Sequence, residues 1–121
     1  MDASLSIYKE LSRALVGTGI PHIARGDHPA YLRKLESVMA KTAGVRRWGA
    51  AALDLAFVAA GRYDAFFEIG LAPWDVAAGI LLVREAGGMI SDMSGDPYVL
   101  GGPTILATNA GLRDAMVEIL A

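Results

Sequence analysis

The sequence contains no cysteine. Disulfide frameworks, thiolate zinc clusters and thiol nucleophiles are therefore excluded, and nothing points to an oxidising compartment. Long apolar runs are missing as well, since Arg, Glu, Asp or Gly interrupts each one before it reaches membrane-spanning length. The opening Met1-Asp2-Ala3-Ser4 has no basic segment leading into an apolar stretch. The expectation is a cytoplasmic protein with neither a secretion signal nor a membrane span. Basic clusters are also scarce. Arg33, Lys34, Lys41, Arg46 and Arg47 are dispersed and poor in aromatic neighbours, which argues against nucleic acid as a partner. Only two histidines occur, His22 and His28, and neither has a Ser or Asp nearby in a triad-like pattern. The pair Gly87-Gly88 lacks the G-x-G-x-x-G spacing of a dinucleotide site. There is no internal repeat and no low-complexity linker.

What remains is rich in core-forming residues. Of 121 residues, 54% are hydrophobic and 20% charged, enough apolar surface to fold as one domain over residues 1–121. Mean hydropathy is +0.39, so part of that surface is expected to meet a partner domain or a second subunit, and self-association is anticipated. Charge is uneven along the chain. Residues 1–48 hold eight Lys/Arg against four acids, and residues 49–121 hold three against nine. The acidic half suits a cation site, although a solvated face would read the same way.

Periodicity alternates between helix and strand, the pattern of an α/β fold in which a layered, mixed or mostly parallel sheet is flanked by helices. Residues 5–16 read as a short helix running into a strand, broken by Gly17, Gly19 and Pro21. Asp27-His28-Pro29 opens an amphipathic helix that carries Tyr31, Leu32, Leu35, Val38 and Met39 and stops at Gly44. Val45 to Trp48 is extended. Ala50 to Ala60 is an almost wholly apolar helix, expected to be buried on all sides and capped by Gly61. Asp64 to Ile69 reads as a strand, and Pro73-Trp74-Asp75 opens the helix Val76 to Ala86. Residues 89–93 and 104–108 are further strands, and an amphipathic helix closes the chain from about residue 111 to 120.

Asp75 is the most informative single residue, because it follows Pro-Trp at the mouth of a helix and lies seven positions after Glu68, at the end of a strand. Ligands in α/β folds collect at such strand ends. A magnesium ion needs only one or two carboxylates from any one element, with water and phosphate completing the octahedron. The same Asp is also an ordinary helix cap. Glu68 is placed to accept hydrogen bonds from the hydroxyls of a polyol, or to be a solvent-facing acid. Gly49-Ala50-Ala51 begins a helix whose N–H groups could receive a phosphate or hydroxyl, a feature every helix start shares. Asp54 reads as a satisfied buried partner, and Asp92 and Asp96 as turn-shaping residues.

Taken together, Gly49-Ala50-Ala51-Ala52-Leu53-Asp54-Leu55-Ala56-Phe57-Val58-Ala59-Ala60-Gly61, Asp64-Ala65-Phe66-Phe67-Glu68-Ile69-Gly70, Pro73-Trp74-Asp75-Val76-Ala77-Ala78-Gly79 and Glu85-Ala86-Gly87-Gly88 resemble the C-terminal half of the inositol monophosphatase family, over roughly residues 10–121. The resemblance implies a magnesium-dependent phosphomonoesterase acting on myo-inositol monophosphate or a similar polyol phosphate. It implies that Asp75 ligates the second magnesium and approaches the substrate's hydroxyls, that Glu68 holds an inositol hydroxyl, and that Gly49-Ala50-Ala51 lines the polyol pocket. Ala50 departs from the hydroxyl residue the family usually has there. The family's Glu-Glu pair and Asp-Pro-x-Asp-Gly motif are absent, so no catalytic residue is assigned, the metal site is incomplete, and the chain alone is expected to be inactive. Its expected partners are the small-molecule substrate and either a second copy or the missing N-terminal half. Two alternatives stand: a non-catalytic folded fragment or interaction module, and a related bisphosphate nucleotidase, fructose bisphosphatase or histidinol phosphatase.

Overall fold

The computed structural model describes residues 10–19, 28–47, 49–70 and 73–120, the side chain of Asp75 excepted. A 3-10 turn at Leu11–Arg13 leads into β1 (Leu15–Thr18). Then follow α1 (His28–Lys41), β2 (Gly44–Arg46), α2 (Ala51–Ala59), β3 (Ala65–Ile69), α3 (Pro73–Glu85), β4 (Met89–Ser91), β5 (Thr104–Thr108) and α4 (Arg113–Leu120). The helix expected ahead of the first strand amounts to that one turn, residues 5–9 lying outside the described part. Gly17 does not break the segment. It sits inside β1, because a side chain there would collide with the Tyr63 ring.

The five strands lie in the order β2-β1-β3-β5-β4. β1 runs parallel to both β2 and β3, whereas β5 is antiparallel to β3 and to β4. Four strands therefore point one way and β5 alone runs back. Asp64 ties the start of the sheet together: its Oδ2 accepts from the Leu15 N–H at 2.7 Å, and its own N–H donates to the Leu15 carbonyl at 2.8 Å.

Side-chain alternation along β3 divides the core in two. Ala65 and Phe67 face one layer, with Val16, Leu106, Tyr31 and Val38 of α1, Leu112 just before α4, and Met116 and Leu120 of α4. Phe66 faces the other, with Ile105, Ala107, Leu55 and Val58 of α2, and Val76, Ile80 and Val83 of α3. Helices α1 and α4 thus cover one face of the sheet, and α2 and α3 the other. The last two pack close together, for a Cβ on Gly79 would lie 2.5 Å from that of Leu55.

The all-apolar α2 is not buried on every side, contrary to its sequence reading. Leu53 and Ala52 are exposed, since one side of a helix in an outer layer has nothing beyond it. Among the described residues no helix is long and apolar enough to cross a membrane.

Candidate functional site

The parallel strands β1, β2 and β3 end at one edge of the sheet, at Thr18, Arg46 and Ile69. Each of β2 and β3 is followed within a few residues by the start of a helix, α2 at Ala51 and α3 at Pro73. Two helix N-termini, with their unpaired N–H groups and partial positive charge, therefore stand side by side above the carboxyl ends of the strands.

Glu68 lies on this edge and, by alternation from Phe66, on the α2–α3 face. Its carboxylate lies against Gly19: a Cβ there would come within 1.6 Å of Glu68 Oε1, so any larger residue would push the acid aside. Gly19, read from sequence as a breaker, is thus what lets the acid lie across the end of β1. No local signal reveals this, because the contact joins residues 49 positions apart.

Gly49 and Ala50 are exposed, and Gly49 has φ +81°, a left-handed turn that side chains resist. It redirects the chain from the end of β2 into α2. Ala50 is the N-cap residue and makes no side-chain cap bond; a methyl group has nothing to offer the free N–H groups above it. The backbone of Asp75 falls in the first turn of α3, and its side chain lies outside the described residues. Among the described residues no three His, Cys, Asp or Glu side chains converge on a point where a metal could bind. Carboxylates are the oxygen donors a hard cation such as magnesium takes, so at this edge Glu68 and, by residue type, Asp75 are the residues that could contribute to holding one.

Asp54 departs from expectation. It is fully buried in the first helical turns of α2, yet among the described residues neither carboxylate oxygen has a hydrogen-bond partner. Burial raises its pKa from 3.8 to about 6, against the opposing charge of Arg47. On the other face, the Thr18 hydroxyl lies 3.0 Å from both the Tyr31 hydroxyl and the Phe67 carbonyl. Burial raises the Tyr31 phenol above its ordinary value, the Thr18 bond opposes this, and the charges of Glu68 and Arg47 act in opposite directions. The exposed Arg47 opposes both rises, a small influence its place in a dispersed basic stretch did not reveal. Asp92 behaves as read: its Oδ1 accepts from the N–H groups of Ser94 and Asp96, both at 2.9 Å. His22 lies outside the described residues.

A sequence profile described as the inositol monophosphatase family matches residues 2–121. The chain is 50% identical over 109 residues to an inositol-1-monophosphatase of Mesorhizobium japonicum, covering 90% of this chain and 41% of that protein. It is 53% identical over 116 residues to the Nus factor SuhB of Pseudomonas aeruginosa, covering 93% and 42%. Among solved structures, the extragenic suppressor protein suhB from Bartonella henselae superposes with a TM-score of 0.91 at 44% identity, over 97% of this chain and 45% of that one. The inositol monophosphatase from Anabaena gives 0.88 at 38% identity, over 97% and 46%. The chain spans less than half the length of these relatives, and it belongs to the inositol monophosphatase family.

Proposed function

We propose that this chain forms one wall of a cytoplasmic, magnesium-dependent phosphomonoesterase that hydrolyses myo-inositol monophosphate or a similar polyol phosphate. The reading is carried by one juxtaposition: Glu68 laid across Gly19 at the sheet edge where α2 and α3 both begin. Two helix N-termini favour an anion, and a carboxylate beside them accepts hydrogen bonds from hydroxyls. Together they suit a molecule that is phosphate at one end and polyol at the other. Glu68 orients the ring, and the exposed Gly49 and Ala50, with Ala51 behind them, line the ring's pocket. Asp75 would hold magnesium, which when bound supplies charge neutralisation at the departing oxygen. Activation of water is assigned to no residue of this chain, so the remaining carboxylates come from polypeptide equivalent to the rest of the relatives' length.

The test is a chimera joining the N-terminal part of the Mesorhizobium relative to this chain. Magnesium-dependent phosphate release from myo-inositol monophosphate, lost on Asp75→Asn, is the expected result. A folded chimera that releases none, or one indifferent to that substitution, defeats the reading. Release by the 121-residue chain alone would contradict the expectation that it holds only half the site.

A second reading is a non-catalytic interaction module, and the outward face of α3 favours it. Trp74 is 82% exposed and Leu81 58%. Exposed apolar surface rimmed by polar residues marks a contact site. Several relatives carry the name Nus factor, which fits a role in assembly. Size-exclusion with light scattering separates the possibilities, because a clean monomer that binds no hydrophobic dye has no such face.

A further inference from the structure

The last residue of β1 bonds to the backbone on either side of the Glu68 seat. Thr18 pairs with Phe67 in the parallel register of β1 and β3, and both side chains lie on the α1 face of the sheet. One residue further along each strand, Gly19 and Glu68 belong to the opposite face, where the carboxylate lies against the glycine.

The Thr18 hydroxyl lies 3.0 Å from the Phe67 carbonyl and 3.3 Å from the carbonyl of Gly19. The first belongs to the peptide that joins Phe67 to Glu68, the second to the residue on which the acid rests. Carbonyls only accept, so what Thr18 offers them is its single proton. Thr18 Oγ1 also lies 3.0 Å from the Tyr31 hydroxyl, and either of that pair can donate. With Tyr31 donating, the Thr18 proton stays with the carbonyls. Both residues are 2% exposed, and bonds made away from water are costly to lose. Burial is the chief cause of the raised Tyr31 phenol, and the charge of Glu68 adds to it, so the acid is within electrostatic reach of this pair.

We propose that Thr18 is a positioning residue for Glu68: its hydroxyl fixes the peptide that carries Glu68 from the opposite face of the sheet, and so holds the carboxylate in one place over Gly19. Thr18 acts through the acid and not on the substrate. A long side chain that must present its oxygens to a ring hydroxyl gains from being ordered beforehand. That consequence for the ring rests on the polyol-phosphate reading; the ordering of Glu68 does not.

NMR of the 121-residue chain tests the ordering through the three-bond N–Cγ and C′–Cγ couplings of Glu68, which report its χ1 angle. One staggered rotamer is expected in the unsubstituted chain. Thr18→Val, or Thr18→Ala should the valine not fold, is expected to average it. Thr18→Ser keeps the hydroxyl and Val38→Ala truncates the core of the same layer, and both should leave the rotamer single. Couplings unchanged by loss of the hydroxyl, or averaged equally by Val38→Ala, would overturn the proposal.

In the chimera, Thr18→Val should raise KM for myo-inositol monophosphate about fivefold with kcat within about twofold, the pattern of lost ground-state binding. On a Glu68→Gln background that rise should vanish, because the hydroxyl works only through the acid. The same factor in both backgrounds would also overturn the proposal. A Glu68→Gln chimera with an unchanged KM would instead defeat the polyol role given to Glu68, and the couplings would still decide whether Thr18 orders it.

Discussion

The two helical layers solve the same packing problem to different degrees. On α1 and α4 the inward stripe of Tyr31, Val38, Met116 and Leu120 is matched by an outer surface holding Arg33, Glu36, Lys41, Asp114 and Glu118, although Leu32 and Met39 are exposed there as well. On α2 and α3 the inner residues pack as tightly, Leu53, Trp74, Ala77, Ala78, Leu81 and Leu82 face outward, and the exposed charges among the described side chains are those of Arg84 and Glu85 in the last turn of α3. The second layer also holds the unpartnered Asp54 carboxylate and the candidate site. Apolar groups are wet on both layers, so it is the buried acid, without a partner among the described residues, that sets the second layer apart. Sites of function are where local rules of this kind are broken.

The largest effect should come from the layer that carries the site. In the chimera, Asp75→Asn is expected to lower magnesium-dependent phosphate release about a hundredfold or more, whereas Glu36→Ala on α1 should leave the rate unchanged. Equal losses from the two would erase the distinction between the layers.

Packing comes next. Gly79→Ala puts a methyl group against Leu55, and the expected cost is about 1–3 kcal/mol in urea unfolding. Glu36→Ala, on the solvent face of the other layer, should stay within about 0.5 kcal/mol.

Asp54 gives the comparison a pH dependence. Its carboxyl lies at about 6 when folded, against 3.8 ordinarily. Because the folded value is the higher, the neutral acid is the stabilising form. That contribution is complete below pH 3.8, is lost as pH rises through about 6, and stays lost above it. Asp54→Asn should flatten this slope and leave the variant more stable by about 1–2 kcal/mol near neutral pH. Thermal unfolding across that range checks it, and parallel curves for both proteins would refute the unpartnered acid as a source of strain.

Ala50→Ser supplies the missing N-cap of α2 and should add about 1 kcal/mol. The smallest change in stability belongs to Leu81→Glu, within about 0.5 kcal/mol because the residue is exposed. Its effect should appear instead as reduced self-association in light scattering. An unchanged mass distribution would mean that the outward apolar face is not in use.

Much of this was readable along the chain. The aromatics at Phe66 and Phe67 announced a strand, Pro73-Trp74-Asp75 marked a helix start, and the motif from Gly49 to Gly88 pointed to the family that the comparisons establish. Boundaries moved by a few residues where caps are weak: α3 begins at Pro73 instead of Val76, since proline is suited to a first helical turn. Less legible were features made by distant partners. Gly17 and Gly19 looked like breakers, yet one yields to the Tyr63 ring and the other to Glu68. Asp54 looked satisfied, because sequence tells that an acid will be buried and not whether a donor will reach it.

The sequence by itself determined the period of each segment, and so its type, together with the residue kinds available for chemistry, since both depend on neighbours a few positions away. Tertiary structure decided the sharing of positions: which helices lie on which face, that Glu68 rests on Gly19, and that α3 turns leucines to solvent. These follow from strand order and from the direction in which each strand runs, and such pairings across tens of residues are fixed only when the whole sheet has closed.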